Sequence, residues 1–291
     1  MKIAIHGRTF TVQTKPFVQS MFDDLAERQV DLQLSHTYRE FLDFAGVKHR
    51  CEAVYHDPLA VFDADFIFSL GGDGTLLEAV THAGARQIPI VGINIGRLGF
   101  LATVSPNAIR AMIKDLFEHN FTIDERSLVG VRSDSDLFDA LPFGLNDFTI
   151  TRTESSSMIT VHTYLDGEFL NSYWADGLIV STPTGSTGYS LSCGGPVLLP
   201  QTNSFIITPI SPHNLNVRPM LIPDTSQLSF EVASRSGTFL AALDSRSHTV
   251  EISTKLSVQK ETFTARLVKL SQDNFLNTLR SKLNWGFDIR N

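Results

Sequence analysis

Asp73 stands inside the run Ser69-Leu70-Gly71-Gly72-Asp73-Gly74-Thr75, directly after the apolar stretch Phe66-Ile67-Phe68 and directly before a helical pattern that opens Leu76-Leu77-Glu78. A strand feeding such a turn, with glycines removing the Cβ atoms that would block approach, leaves successive backbone N–H groups and a helix N-terminus facing an anion. A carboxylate beside bound phosphate is repelled unless it accepts a proton or works through a divalent cation. The pattern therefore points to phosphoryl transfer rather than passive anion binding. The same residues also make ordinary turns, because Gly and Asp suit turn backbones for conformational reasons alone. No Gly-Lys-Ser/Thr follows the loop and no G-x-G-x-x-G follows the first strand, so neither the Walker loop nor the usual dinucleotide fingerprint accounts for it.

A second chemistry-bearing region runs from Trp174-Ala175-Asp176-Gly177 through Ser181-Thr182-Pro183-Thr184-Gly185-Ser186-Thr187-Gly188-Tyr189-Ser190-Leu191-Ser192 to Cys193. Hydroxyls and open backbone amides at this density suit a polar ligand such as a nucleotide, with Tyr189 able to stack on a flat ring. A Ser/Thr-rich turn around a buried tyrosine uses the same residues. Arg97, between Gly96 and Gly99, could grip a phosphate bidentately or cover the surface with its stem. His213 is read as a structural histidine rather than a ligand contact.

These residues need elements to hold them. From Lys2 to about Asn120, short β-rich runs alternate with helical patterns, which predicts an α/β domain with a mainly parallel sheet of the Rossmann or flavodoxin type. Lys2 to His6 and Ile88 to Ile93 are expected as strands and Pro16 to Arg28 as a helix. A further helix is expected after Ser105-Pro106, with Ser105 as N-cap and Ile109, Met112, Ile113, Leu116 and Phe117 as a core stripe. After Phe121 the helical period fades and Val, Ile, Phe and Thr runs separated by turn residues predict a mostly β domain of sandwich type. Thr160 to Leu165 alternates cleanly and ends in the hairpin signal Asp166-Gly167. Asn274 to Trp285 returns to helical spacing and is expected to rejoin the first domain, giving domains 1–120 with 271–291, and 121–270.

Composition excludes several classes. The 291 residues are 42% hydrophobic with a formal charge of −7, which argues against a nucleic-acid binder that relies on a broad basic surface. No apolar run is long enough to span a bilayer and the N-terminal segment has no signal-peptide pattern, so a cytoplasmic protein without membrane association is expected. Two cysteines, Cys51 and Cys193, are too few for a disulfide framework or a zinc site. No resident metal site is expected.

Taken in order, Gly71-Gly72-Asp73-Gly74-Thr75, Asn94-Ile95-Gly96-Arg97-Leu98-Gly99-Phe100, Leu145-Asn146-Asp147, Asp176-Gly177 and Thr182-Pro183-Thr184-Gly185-Ser186-Thr187 resemble the NAD kinase family. The glycine motif is shared with diacylglycerol and sphingosine kinases; the Thr-Pro-Thr-Gly-Ser-Thr loop is much more specific. The resemblance implies transfer of the γ-phosphate of ATP, or of polyphosphate, to the adenosine 2′-hydroxyl of NAD, with a divalent cation (Mg²⁺) accompanying ATP. It assigns Asp73 to activation of the hydroxyl, and Gly72, Gly74, Thr75, Arg97 and Phe100 to binding around it. Asn146 and Asp147 fall on the family's Asn-Glu pair for adenine and ribose, with Asp one methylene shorter than the usual Glu. Thr184, Thr187, Gly188, Tyr189 and Ser192 would line the dinucleotide, Gly188 standing where Ala is common. Asp176 would face the nicotinamide end of a ligand held at a subunit interface. Asp244 occupies an Asp-Gly position but is followed by Ser245. The β-rich domain is thus expected to bind NAD and to form a homodimer or homotetramer. A lipid or other small-alcohol kinase, and a dinucleotide sensor without turnover, are the competing readings.

Overall fold

The computed structural model describes residues 1–51, 53–56, 63–96, 99–135, 137–153, 157–271 and 274–285. The first part of the chain runs β1 Lys2–Gly7, α1 Lys15–Glu27, β2 Asp31–Ser35, α2 His36–Ala45, β3 Ala53–Tyr55, β4 Phe66–Gly71, α3 Asp73–Ala83, β5 Ile90–Asn94, α4 Ile109–Phe117 and β6 Phe121–Arg126. Twelve strands follow: β7 Val129–Ser133, β8 Phe143–Gly144, β9 Asp147–Arg152, β10 Ile159–Leu165, β11 Glu168–Ala175, β12 Gly177–Ser181, β13 Ser204–Ile210, β14 Met220–Pro223, β15 Leu228–Ala233, β16 Thr238–Leu243, β17 Arg246–Glu251 and β18 Leu256–Lys260. Between β12 and β13 lie a 3₁₀ turn, Thr184–Thr187, and the short helix α5 Tyr189–Ser192; β19 Ala265–Leu270 and α6 Phe275–Leu283 end the described chain.

Two units form. The first comprises Met1–Asp124 with Ala265–Asn291 and the second Glu125–Thr264. The expected limits of 120 and 271 shift by a few residues because β6 and β19 both belong to the first sheet, whose order is β3-β2-β1-β4-β5-β19-β6. Strands β1 to β5 pair in parallel, and β19 joins β5 in the same direction. From the central pair β1 and β4, the chain leaves through α1 toward β2 and through α3 toward β5. The carboxyl ends of β1 and β4 are therefore a topological switch point, the place where open α/β sheets bind ligands.

The apolar periodicity that predicts these helices also packs them. Val18, Met21, Phe22 and Leu25 of α1 and Ile109, Met112, Ile113 and Leu116 of α4 are buried in one cluster with Ile3, Ile5, Leu34, Phe68, Leu70 and Val91 from the strands. Each such side chain contributes about 1.5–3 kcal/mol relative to exposure. Ser105 does not cap α4 through its side chain; a 3₁₀ turn over Pro106–Ala108 intervenes before the helix starts. At α6 the cap is real, since the Asn274 side chain accepts from the N–H groups of Leu276 and Asn277.

The second unit holds two six-stranded sheets, ordered β11-β10-β15-β18-β7-β8 and β14-β13-β12-β9-β16-β17, with antiparallel pairing throughout the registers described. One core joins them: Val129, Val161, Phe230 and Val258 from one sheet pack with Phe148, Val180, Phe205 and Phe239 from the other, as in a sandwich. The Asp166-Gly167 hairpin forms with both residues at positive φ (50° and 86°), the backbone of a primed two-residue turn. No helix among the described residues is long and apolar enough to cross a membrane.

Candidate functional site

The glycine loop closes β4 and opens α3 at the switch point. Gly72 is the N-cap of α3 in extended backbone and Asp73 is its first residue, so the side chain sits at the positive end of the helix dipole. Its carboxylate does not hang free. Oδ2 accepts from Phe100 N at 2.7 Å, and Oδ1 accepts from Leu101 N at 2.9 Å and Ala102 N at 3.2 Å. An ionised carboxylate offers about four acceptor directions. Among the described residues three are filled, and the one left belongs to Oδ2.

Gly99 makes this possible, because a Cβ there would lie 1.9 Å from Asp73 Oδ1. Gly71 has a different reason: its Cβ would meet Thr75 Oγ1 at 2.0 Å. Thr75, expected near ligand, is thus buried against the turn. At Gly72 and Gly74 a Cβ would meet nothing within 4 Å among the described residues, which require glycine at neither position. Arg97 lies outside the described residues. Arg8, which the sequence reading did not single out, follows β1 at the same switch point; its N–H donates to Leu70 O at 3.0 Å and its guanidinium pairs with Glu78 of α3. Burial pulls the Glu78 carboxyl upward, but His6 and Arg8 outweigh it and leave it below the ordinary value. A basic residue directly after the first strand was the available signal.

In the second unit the hydroxyl-rich loop is built differently from its expectation. Thr182 Oγ1 donates to Leu145 O at 2.5 Å and accepts from Gly185 N at 3.1 Å, while Ser186 Oγ donates to Pro183 O at 2.7 Å and accepts from Leu198 N at 3.0 Å. Ser190 Oγ pairs with Thr208 Oγ1 at 2.8 Å, and Thr184 Oγ1 accepts from Arg126 Nη1 at 3.1 Å. Ser181, Thr182, Thr184, Ser186 and Ser190 are all buried. Their hydroxyls hold the turn together, as buried polar groups must be bonded. The outward face is left to Thr187, Gly188, Tyr189 and Ser192, with Tyr189 46% exposed. The Thr187 hydroxyl also donates inward, to Thr184 O at 3.2 Å.

This loop is pressed onto the Asn146-Asp147 segment. A Cβ on Gly185 would lie 2.1 Å from Asn146 O, and one on Gly188 would lie 3.9 Å from both Asn146 Nδ2 and Asp147 Oδ2. Asp147 is 7% exposed, yet no hydrogen-bond donor among the described residues meets its carboxyl. Burial, and then the nearby Asp244 charge, push it up to about 7. Burial and the Asp147 charge raise the Cys193 thiol as well, which disfavours the nucleophilic thiolate. Tyr189 is raised by burial and by Cys193, Asp176 and Asp147. These shared fields place Asp147, Asp176, Tyr189 and Cys193 in one neighbourhood. Asp176 is ion-paired with Arg152 at 2.8 Å. His213 lies against Trp174 with ring centroids 4.1 Å apart, both exposed. The turn at Asp244-Ser245 forms despite the missing glycine, with Asp244 at φ 52°. Both cysteines are free.

Two family models match the chain: the ATP-NAD kinase N-terminal domain over residues 10–121 and the ATP-NAD kinase C-terminal domain over residues 145–270. The NAD kinase of Cytophaga hutchinsonii is 49% identical over 292 residues, covering 100% of both chains. That of Flavobacterium psychrophilum is 41% identical over 298 residues, again covering 100% of both. An NAD kinase from Archaeoglobus fulgidus, solved in complex with ATP, superposes with a TM-score of 0.74 at 25% identity, over 98% of this chain and 99% of that one. Yeast NADH kinase, solved with NADH, shares the fold with a TM-score of 0.88 at 22% identity, over 100% of this chain and 89% of that one.

Proposed function

Since this chain belongs to the ATP-NAD kinase family, we infer that it transfers the γ-phosphoryl group of ATP to the adenosine 2′-hydroxyl of NAD, giving NADP, with Asp73 as the group that receives the hydroxyl proton. The observation that carries the assignment is the Asp73 carboxylate itself, fixed by three backbone N–H groups with one acceptor direction open on Oδ2. A secondary ribose hydroxyl is a weak nucleophile, and a rigid carboxylate within hydrogen-bond reach assists as its proton leaves. The unobstructed backbone at Gly72 and Gly74 suits close approach of phosphate to the N-terminus of α3. Little else is required of the protein, because phosphoryl transfer depends on positioning and charge stabilisation.

The second unit supplies recognition. The side chains of Asn146 and Asp147, without hydrogen-bond partners among the described residues, are the adenosine readers, and Tyr189 offers its exposed ring to a base. Thr187, Gly188 and Ser192 contribute the outward wall, Thr184 supports it from below, Thr75 supports the phosphate loop, and Phe100 contributes the backbone N–H that orients Asp73. Asp176 serves the nicotinamide end of the dinucleotide. A divalent cation, Mg²⁺, arrives on the triphosphate as part of the donor. The working form is a homo-oligomer in the cytoplasm.

Incubation with ATP, Mg²⁺ and NAD, followed by an NADP-specific reductase assay, tests the reaction. NADP formation is the expected result; binding of NAD without turnover would favour the sensor reading. Asp73→Asn should abolish turnover while NAD binding by titration stays within a few-fold, and full activity in this variant would remove Asp73 from the mechanism.

A further inference from the structure

We propose that Asp244 is a positioning residue for NAD recognition: its carboxylate clasps the main chain of Leu145, Asn146 and Asp147 and so sets the two side chains that read adenosine. The inference rests on the NAD kinase reading above. Three consecutive N–H groups converge on this one side chain, Leu145 N on Oδ2 at 2.8 Å, and Asn146 N and Asp147 N on Oδ1 at 2.8 Å and 3.2 Å. A fourth bond runs back, from Asp244 N to Asp147 O at 3.0 Å.

The local backbone does not explain an aspartate here. Asp244 occupies a two-residue turn between Leu243 and Arg246 at φ 52°, a left-handed conformation that glycine adopts at lower cost. What glycine lacks is the carboxylate. Neighbouring residues are shaped around it: a Cβ on Gly144 would lie 3.0 Å from Asp244 Cγ. Arg246 offsets the Asp244 charge and donates to Leu141 O at 2.6 Å and to Phe143 O, bracing the approach to the same segment. Removing this clasp leaves three consecutive N–H groups without their shared acceptor and frees the orientation of Asn146 and Asp147 relative to Gly188.

The clasp also acts electrically. Burial raises the Asp244 carboxyl while the three N–H bonds and Arg246 pull it back toward ionisation, its charge in turn raises the Asp147 carboxyl, and Tyr189 of α5 and Cys193 just after it feel Asp147 from the other side. Neutralising Asp244 should make Asp147 ionise at lower pH. A side chain that only stabilised the fold would not be expected to move the titration seen by NAD.

The experiment measures kcat, KM for NAD and KM for ATP between pH 5.5 and 9, with melting temperatures, for the full-length enzyme and Asp244→Asn. Loss of a bond to an ionised group predicts a rise in KM for NAD of about tenfold. KM for ATP should stay within about twofold, and the inflection of kcat/KM for NAD should move down by about one pH unit. An Asp244→Asn enzyme that melts normally and keeps the wild-type KM for NAD and pH profile overturns the proposal, as does an equal rise in both KM values. If Asp244→Asn does not fold, Gly144→Ala, which pushes on Asp244 Cγ, should raise KM for NAD selectively; an unchanged KM there overturns it too. Wild-type protein that makes no NADP would instead bring down the kinase reading, and this proposal with it.

Discussion

Replacing Asp147 by asparagine should remove a pH-dependent cost from the second unit. In the folded protein burial and Asp244 hold this carboxyl near 7, against an ordinary value of 3.8. The unfolded chain therefore ionises it from about pH 4, while the native state keeps the proton until about pH 7. Its contribution to stability is fully present below pH 4, is lost as pH rises toward 7, and is flat above that. At about 1.4 kcal/mol per pH unit, the full span is worth at most about 4 kcal/mol, and the part between pH 5 and 8 about 3 kcal/mol. Asparagine keeps the shape and lacks the ionisation, so the difference in stability, variant minus wild type, should grow by about 2–3 kcal/mol from pH 5 to pH 8. The chain has two tryptophans, Trp174 in the second unit and Trp285 in the first. Urea unfolding followed by Trp174 fluorescence in a Trp285→Phe background isolates the relevant unit. Carboxylates outside the Asp147–Asp244 pair contribute equally to both proteins and cancel in the comparison. A difference that stays constant with pH to within about 0.5 kcal/mol would refute the argument that Asp147 is held protonated by its surroundings.

Two further substitutions separate geometry from fold in the first unit. Gly99→Ala places a Cβ where Asp73 Oδ1 now lies, 1.9 Å away, so the carboxylate must leave its three N–H donors. Initial rates should show kcat reduced by about 100-fold or more with NAD binding little changed, and a wild-type kcat would contradict the role of that geometry. Gly74→Ala meets no atom of the described residues within 4 Å. In a helix the added methyl should leave stability unchanged or raise it by up to about 1 kcal/mol. Its KM for ATP should nonetheless rise, and an unchanged KM would show that phosphate does not approach this backbone.

Much of the fold was legible because its signals are local. The strand, glycine turn and helix around Asp73, the alternation of Thr160 to Leu165 and the stripe from Ile109 to Leu116 each follow from backbone preference and side-chain periodicity within a few residues. The site was legible in its membership more than in its wiring. Thr182, Ser186 and Ser190 stand in a run whose hydroxyls suit a polar ligand in a one-dimensional reading, and they bond instead to Leu145 O, Pro183 O and Thr208 Oγ1. Thr75 faces Gly71, and Ser105 leaves α4 to begin after a 3₁₀ turn.

The sequence alone determined which residues could do chemistry here: a carboxylate at the start of a helix among three closely spaced glycines, an Asn-Asp pair before a strand, and an aromatic in a loop dense in hydroxyls. Only the tertiary structure decided how their hydrogen bonds are spent. Asp73 is tied to N–H groups 27 to 29 residues away, and the Asn146-Asp147 segment to a carboxylate 97 to 99 residues away. Such pairings have no periodic signature, since they exist only once folding has removed water and each buried donor must find whichever acceptor the chain has brought beside it.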